Sequence, residues 1–408
     1  MISVSNLHKD FAAHMQHDPH RSLPQPDADS AAHSQRVADW IHGKIGESGG
    51  SISFAEFMQH ALYAPGLGYY AAGAAKFAAA GDFVTAPEVS AVFGRVLARQ
   101  CAEVLAATDG GSILEFGAGS GKLAVDILCA LQALDALPAR YDIVEVSADL
   151  IERQQRRVRE QLPQFASRVR WLTELPQAHV GVVIANEVLD ALPVERFLRT
   201  ETEVRQLRVT AADGRFCMID AAAPAYLHDA VQRIEADLGG RLPPGFVSEV
   251  SHGLPGWLGD VAAAMHGGVA FLFDYGLSRR EVYAAGRSGG WLRCHFRHHV
   301  HDNPLILAGI QDITAWVDFT TVAEAAVASG LDVIGYAPQA QFLLGGGLDL
   351  ELQGFASLPT ETQIELSGQV KMLTLPDEMG ENFKCMALRR GDVPVPSAFQ
   401  LADRTHTL

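Results

Sequence analysis

Apolar positions along the chain follow two rhythms. From residue 112 onward, short apolar runs alternate with longer stretches in which apolar residues return every three or four positions. The runs at 112–116, 141–146, 169–172, 180–185, 269–274, 333–336 and 383–388 predict strands. Several are rich in β-branched residues, as in a parallel sheet covered on both faces. The stretches at 123–134 and 149–161 predict helices between them, so the alternation points to an α/β fold with a doubly wound sheet.

Before residue 112 the rhythm is helical. Ser53-Phe54-Ala55-Glu56 has the spacing of a capping box, and Phe54, Phe57, Met58, Ala61 and Leu62 share one helical face. A glycine-rich stretch through Gly66, Gly68, Gly73 and Gly81 follows, and then a helix carrying Val89, Phe93, Val96, Leu97, Cys101, Val104 and Leu105. The interval from Leu192 to His266 breaks the strand–helix alternation. It contains a predicted hairpin, 204–209 and 216–219 around Asp213-Gly214, and reads as an insertion over part of the active site. The expected organisation is a mobile tail at 1–36, a helical region at 37–111 that contributes to the active site, and a core in two halves, 112–191 and 268–390. The insertion at 192–267 separates those halves, and a tail follows at 391–408.

The glycine loop carries the strongest chemical signal. Ile113-Leu114-Glu115-Phe116-Gly117-Ala118-Gly119-Ser120-Gly121-Lys122 runs from a strand through close-set glycines into a helix. Such glycines let backbone approach a ligand, and the N–H groups of a helix start favour accepting atoms. A Walker loop would need glycine where Phe116 stands and Ser or Thr where Leu123 stands. A dinucleotide fingerprint would need glycine at Lys122. The remaining ligand reading is the acid-x-G-x-G loop that receives the methionine end of S-adenosylmethionine, with a plain tight turn as the alternative. Glu145, at the tip of the second strand, is placed to accept from ribose hydroxyls, a role that would suit NAD equally. Its alternative is a helix-end acid beside Ser147. Asn186 and Glu187 end the fourth strand, on the edge of the sheet where ligands bind in such folds.

Composition narrows the picture slightly. The chain is 48% hydrophobic and 20% charged, an ordinary globular balance for 408 residues. No run approaches a membrane span, and neither an export signal nor a transit peptide is evident, which predicts a cytoplasmic protein without membrane contact. Five scattered cysteines without a CxxC pair suit a reducing compartment. The histidine-rich run from Cys294 to His301 lacks regular ligand spacing, so no metal is expected. A formal net charge of −16 disfavours nucleic acid as a partner and suits a cationic substrate.

Taken in order, GDFVTAPEVSAVFG, ILEFGAGSGKLAVDIL, VEVSADLIERQ, IANEVLDALPVERF, FLFDYG and ITAWVDF resemble a bacterial and mitochondrial methyltransferase family. That family includes the mitochondrial complex I assembly protein arginine methyltransferase, and the resemblance extends from Ser53 to Leu388. It implies a class I methyltransferase fold, Rossmann-like, with S-adenosylmethionine as cofactor and a partner protein as substrate. Carried across, cofactor contacts fall on Glu115, Gly117, Gly119, Gly121, Glu145 and Asn186. The family's loop proline is Ala118 here, and its T-x-H-V-D-F pattern carries Trp316 in place of histidine. If the acceptor is an arginine side chain, carboxylates must grip a guanidinium, and Glu187, Asp312 and Asp318 are the candidates. A small-molecule methyltransferase and a non-catalytic assembly protein that retains the cofactor pocket are the alternatives.

Overall fold

The computed structural model describes residues 23–72 and 85–408; Gly73 and Gly81–Val84 of the glycine-rich stretch lie outside them. Seven strands form the body of the central sheet among the described residues, β1 (Ser112–Phe116), β2 (Tyr141–Val144), β3 (Val169–Leu172), β4 (His179–Asn186), β5 (Met265–Leu277), β6 (Asp332–Pro338) and β7 (Phe383–Arg390), and the short strand Val317–Asp318 pairs with the end of β5. Their spatial order is β3-β2-β1-β4-β5-β7-β6. All neighbours are parallel except β7, which runs antiparallel to β5 and β6. After β1 the chain winds one way through β2 and β3, then returns to place β4 on the other side of β1. The cleft outside the carboxyl ends of β1 and β4 is therefore the switch point at which such sheets bind ligands.

Alternate residues of each strand enter two different cores. Ile113, Val182, Ile184, Phe271, Phe273 and Cys385 face one side, while Leu114, Phe116, Val183, Ala185, Leu272 and Met386 face the other. This two-residue period explains why the strands are apolar throughout instead of alternating with polar positions. Helix α3 (Ala91–Ala107) and helix α4 (Lys122–Ala133) cover the first side, and Asp149 and Arg153 mark the solvent face of α5 (Ala148–Gln161).

Two smaller cores flank the sheet. In the first, helix α1 (Ala28–Glu47) and helix α2 (Phe54–Tyr63) pack Val37, Ile41, Phe57 and Met58 against Val209, Cys294 and Ile313. Helix α1 corrects the expected tail at 1–36, because it starts at Ala28. The Asp27 carboxylate accepts from Ser30 N at 2.9 Å, and His33 Nε2 meets Leu67 O at 2.8 Å. The segment 391–408 likewise packs on the core, burying Ala398 and Phe399 and donating from Arg404 N to Tyr336 O at 2.6 Å.

In the second small core, strands Glu195–Arg199, Val204–Ala212, Arg215–Ala222 and Phe246–Val250 form a separate sheet, which also pairs with Ile52–Ser53. The expected hairpin is present, with Asp213 and Gly214 both at positive φ (50° and 73°), the backbone that its two-residue turn demands. Helix α6 (Ala225–Leu238) closes this sheet, and helix α7 (Leu254–Ala264) leads into β5.

Candidate active site

The glycine loop and the end of β4 line one cavity of about 240 Å³ at the switch point. Gly117 and Gly119 are both exposed to it, with φ of 58° and 52°. At Gly119 a Cβ would meet nothing, and at Gly117 only Val188 Cγ2 at 3.6 Å. The glycines therefore serve the left-handed backbone and the free space in front of it, as a closely approaching ligand requires. Gly121 differs. It starts α4 at φ 79°, and a Cβ there would press on Gln154 Cγ at 3.2 Å, so its role is packing between α4 and α5.

Beside the loop, Glu145 Oε1 accepts from Val146 N at 2.9 Å and Ser147 N at 3.0 Å, and Oε2 accepts from Gln154 Nε2 at 3.1 Å. Burial raises its pKa, against which the Ser147 amide, the Gln154 side chain and the Val146 amide favour the charged form. Gln154 itself is fully buried. It donates also to Gly119 O at 2.9 Å and accepts from Trp171 Nε1 at 2.8 Å, tying loop, acid and β3 together. Sequence reasoning missed Gln154, although the α5 motif contains it. The cradle fits S-adenosylmethionine: open glycines for the methionine end, and a backbone-held carboxylate for paired hydroxyls. Glu115 also lines the cavity, but it is held from below by the Tyr141 hydroxyl at 2.8 Å, and burial pushes its pKa up to about 7.

Across the cavity stand carboxylates and tyrosines. Asn186 and Glu187 line it at the tip of β4, and Asn186 Nδ2 donates to Glu187 Oε1 at 3.2 Å. Glu187 holds φ 54°, a backbone rarely adopted by a non-glycine residue and common at ligand sites. Its N–H donates to Phe273 O at 2.8 Å, so pairing with β5 fixes this turn. Burial raises the Glu187 pKa well above the usual range, and Asp190 and Asp312 push it the same way. Asp312 lies opposite, on the strand Asp312–Ala315, and accepts from Tyr70 Oη at 2.9 Å. Asp190, to which the sequence reading gave no role, is 5% exposed, lines the cavity, and accepts from Tyr275 Oη at 2.6 Å. Tyr69, Tyr70, Tyr275, His295 and Thr314 also line the cavity; sequence reasoning assigned none of them a role, although Tyr275, His295 and Thr314 lie in runs it singled out.

Asp318 is not brought to this site. It caps helix α8 (Phe319–Ala328), accepting from Thr320 N at 3.0 Å and Thr321 N at 3.2 Å, and it pairs with the buried Arg279 at 3.2 Å. It lines a second cavity of about 380 Å³ between the 192–267 segment and the core. The expectation that this segment covers the active site is corrected in the same way, because Val194, Tyr226, Arg233, Ile234 and Glu249 line that second cavity. Trp316 lies there too, stacked on Trp291 at 4.3 Å. Among the described residues no His/Cys/Asp/Glu group could hold a metal ion, and no helix is long and apolar enough to cross a membrane.

Comparison with known proteins agrees with this geometry. The family model for S-adenosyl-L-methionine-dependent methyltransferases matches residues 96–337. The mitochondrial protein arginine methyltransferase NDUFAF7 homolog of Drosophila melanogaster is 30% identical, over 90% of this chain and 88% of its own. NDUFAF7 of Mus musculus, also named a mitochondrial protein arginine methyltransferase, is 30% identical over 84% and 82%. A Burkholderia thailandensis protein crystallised with S-adenosyl-homocysteine superposes with a TM-score of 0.89 at 39% identity, covering 95% of this chain and 100% of that one. The expected cytoplasmic location is overturned by the curated relatives, which are named mitochondrial. These matches and the open glycine loop at the switch point lead to one conclusion: the chain belongs to the S-adenosyl-L-methionine-dependent methyltransferase family, and its cofactor is S-adenosylmethionine.

Proposed function

We propose that this methyltransferase modifies an arginine side chain of a partner protein. The observation that carries the reading is that Glu187 and Asp312 share one cavity with Gly117 and Gly119, so a cation held by the carboxylates meets the cofactor loop directly. The names of the fly and mouse relatives support the same acceptor.

When bound, S-adenosylmethionine supplies a methyl group on a positively charged sulfur and leaves as a neutral thioether. The protein's residues must do the rest. A guanidinium is protonated at any physiological pH, and its charge is spread over three nitrogens. Glu187 and Asp312 draw that charge toward the nitrogens they face and leave electron density on the nitrogen nearest the glycine loop. As the new N–C bond forms and the S–C bond breaks, that nitrogen gives up one proton to a carboxylate of the wall. Tyr70 holds Asp312 in position, and the fixed turn at Glu187 avoids reorganisation during the reaction. Gly117, Gly119, Glu145 and Asn186 are assigned to the cofactor. Glu115, held by the Tyr141 hydroxyl, lines the same cavity beside the loop.

The test is incubation with isotope-labelled S-adenosylmethionine and cell lysate, followed by mass spectrometry of the labelled products. Methylarginine in a protein is the expected product. A label found on a small metabolite or on a nucleic-acid base would overturn the reading.

A further inference from the structure

Asp190 stands out among the buried groups around the cavity. Its Oδ2 is held by Tyr275 Oη at 2.6 Å, while its Oδ1 makes no hydrogen bond although the residue is 5% exposed. An unpartnered carboxylate oxygen in such a place is costly unless a donor arrives to meet it. The residue lines the cavity that contains Gly117, Gly119, Glu187 and Asp312. Its backbone is fixed as well: Ala315 N donates to Asp190 O at 2.9 Å, and Asp274 Oδ2 accepts from Asp190 N at 3.1 Å.

We infer that Asp190 is a specificity-determining residue whose free Oδ1 receives an N–H of the cationic acceptor, so that the site selects a guanidinium over a neutral group of the same shape. This rests on the arginine reading and deepens it. Tyr275 is its positioning residue: the hydroxyl occupies Oδ2 and fixes the carboxylate, so that Oδ1 is the oxygen left for the ligand. The groups that interact with Asp190 are Glu187 from its own loop, Asp274 and Tyr275 from β5, and Tyr63 and Tyr70 from the N-terminal region, and Asp312 lines the same cavity. Burial pushes the Asp190 carboxyl up to about 6, and the Tyr275 hydrogen bond and the Ala191 amide work against that shift. Charge selection is therefore present above that pH and fades below it.

The probes are two analogues of S-adenosylhomocysteine, one carrying a short guanidino-alkyl arm at the sulfur position and the other its ureido twin. Both are titrated by calorimetry into the full-length protein. The wild type should prefer the guanidino analogue by about tenfold or more at pH 8, as expected for a charge-assisted contact in a buried site. Asp190→Asn should lose most of that preference while S-adenosylhomocysteine itself binds as in the wild type. A preference retained in Asp190→Asn would overturn the assignment and leave the arginine reading intact. No preference in the wild type would overturn the arginine reading itself. Should Asp190→Asn fail to fold, Tyr275→Phe answers the question. The pH at which preference is half lost should rise in that variant, and an unmoved midpoint would refute the inference.

Discussion

Replacing Gln154 with leucine should loosen the cofactor site from behind. Leucine has a similar volume but no polar atoms, so the perturbation is the loss of three contacts at once. Glu145 Oε2 loses its side-chain donor, Trp171 Nε1 its acceptor, and Gly119 O its tie to α5. Glu145 is 7% exposed, and a lost hydrogen bond to a buried charge costs about 1.5–3 kcal/mol. Trp171 is half-buried and Gly119 is exposed, so water can replace part of what they lose, leaving about 0.5–1.5 kcal/mol for the pair. The sum is a loss of about 2–4.5 kcal/mol of folding stability, read as a shift of the urea midpoint with an unchanged slope. Affinity for S-adenosylhomocysteine, measured by calorimetry on the folded variant, should fall about tenfold, equivalent to about 1.4 kcal/mol. A variant within 1 kcal/mol of wild-type stability and within twofold of its affinity would refute the idea that Gln154 joins loop, acid and sheet.

The other predictions are shorter. Gly117→Val places a β-branched side chain at φ 58° in front of the cofactor and should abolish S-adenosylhomocysteine binding in calorimetry. Glu145→Ala should keep the fold by circular dichroism and weaken cofactor binding by about 1.5–3 kcal/mol. Glu187→Gln should bind cofactor within about twofold of wild type while methyl transfer to the protein acceptor falls at least about tenfold. Asp190→Asn should stabilise the ligand-free protein. Burial pushes the native carboxyl up from the ordinary aspartate range to about 6, so the charge opposes folding fully above about pH 6 and not at all below about pH 4. Thermal melts should therefore show a gain at pH 7.5 that vanishes by pH 4; a gain of the same size at both would point to packing instead of charge.

What was legible in the sequence was local. The β1 loop announces itself because strand, glycines and helix start are contiguous, and the 204–222 hairpin because Asp213-Gly214 needs positive φ. Helix α1 was also within reach: Asp27 as a cap, with Val37, Ile41 and Ile45 on one stripe, outweighs the polar, proline-bearing residues before it. Asp318 shows where local reading misleads. An acid next to a conspicuous motif resembles a ligand group, yet Asp followed by Phe-Thr-Thr at a helix start is also an N-cap, and the structure uses it so. The wall facing the glycine loop was legible only in part: Glu187 and Asp312 were candidates from the sequence, but the partners that hold it together were not. Tyr70 reaches Asp312 across 242 residues and Tyr275 reaches Asp190 across 85, and no periodicity encodes such meetings.

The two sides of the cavity come from different stretches of chain. Gly117, Gly119 and Leu150 lie on adjoining strand–helix units of the sheet, whereas Tyr70, His295, Asp312 and Thr314 arrive from segments packed over its edge. Drift in those outer segments can therefore change what is methylated while leaving the cofactor cradle whole. A lineage can keep the methyl donor and inherit a new recipient through a handful of neutral steps. The cradle has no such latitude, because Gln154 couples its parts and any one change is felt by all of them.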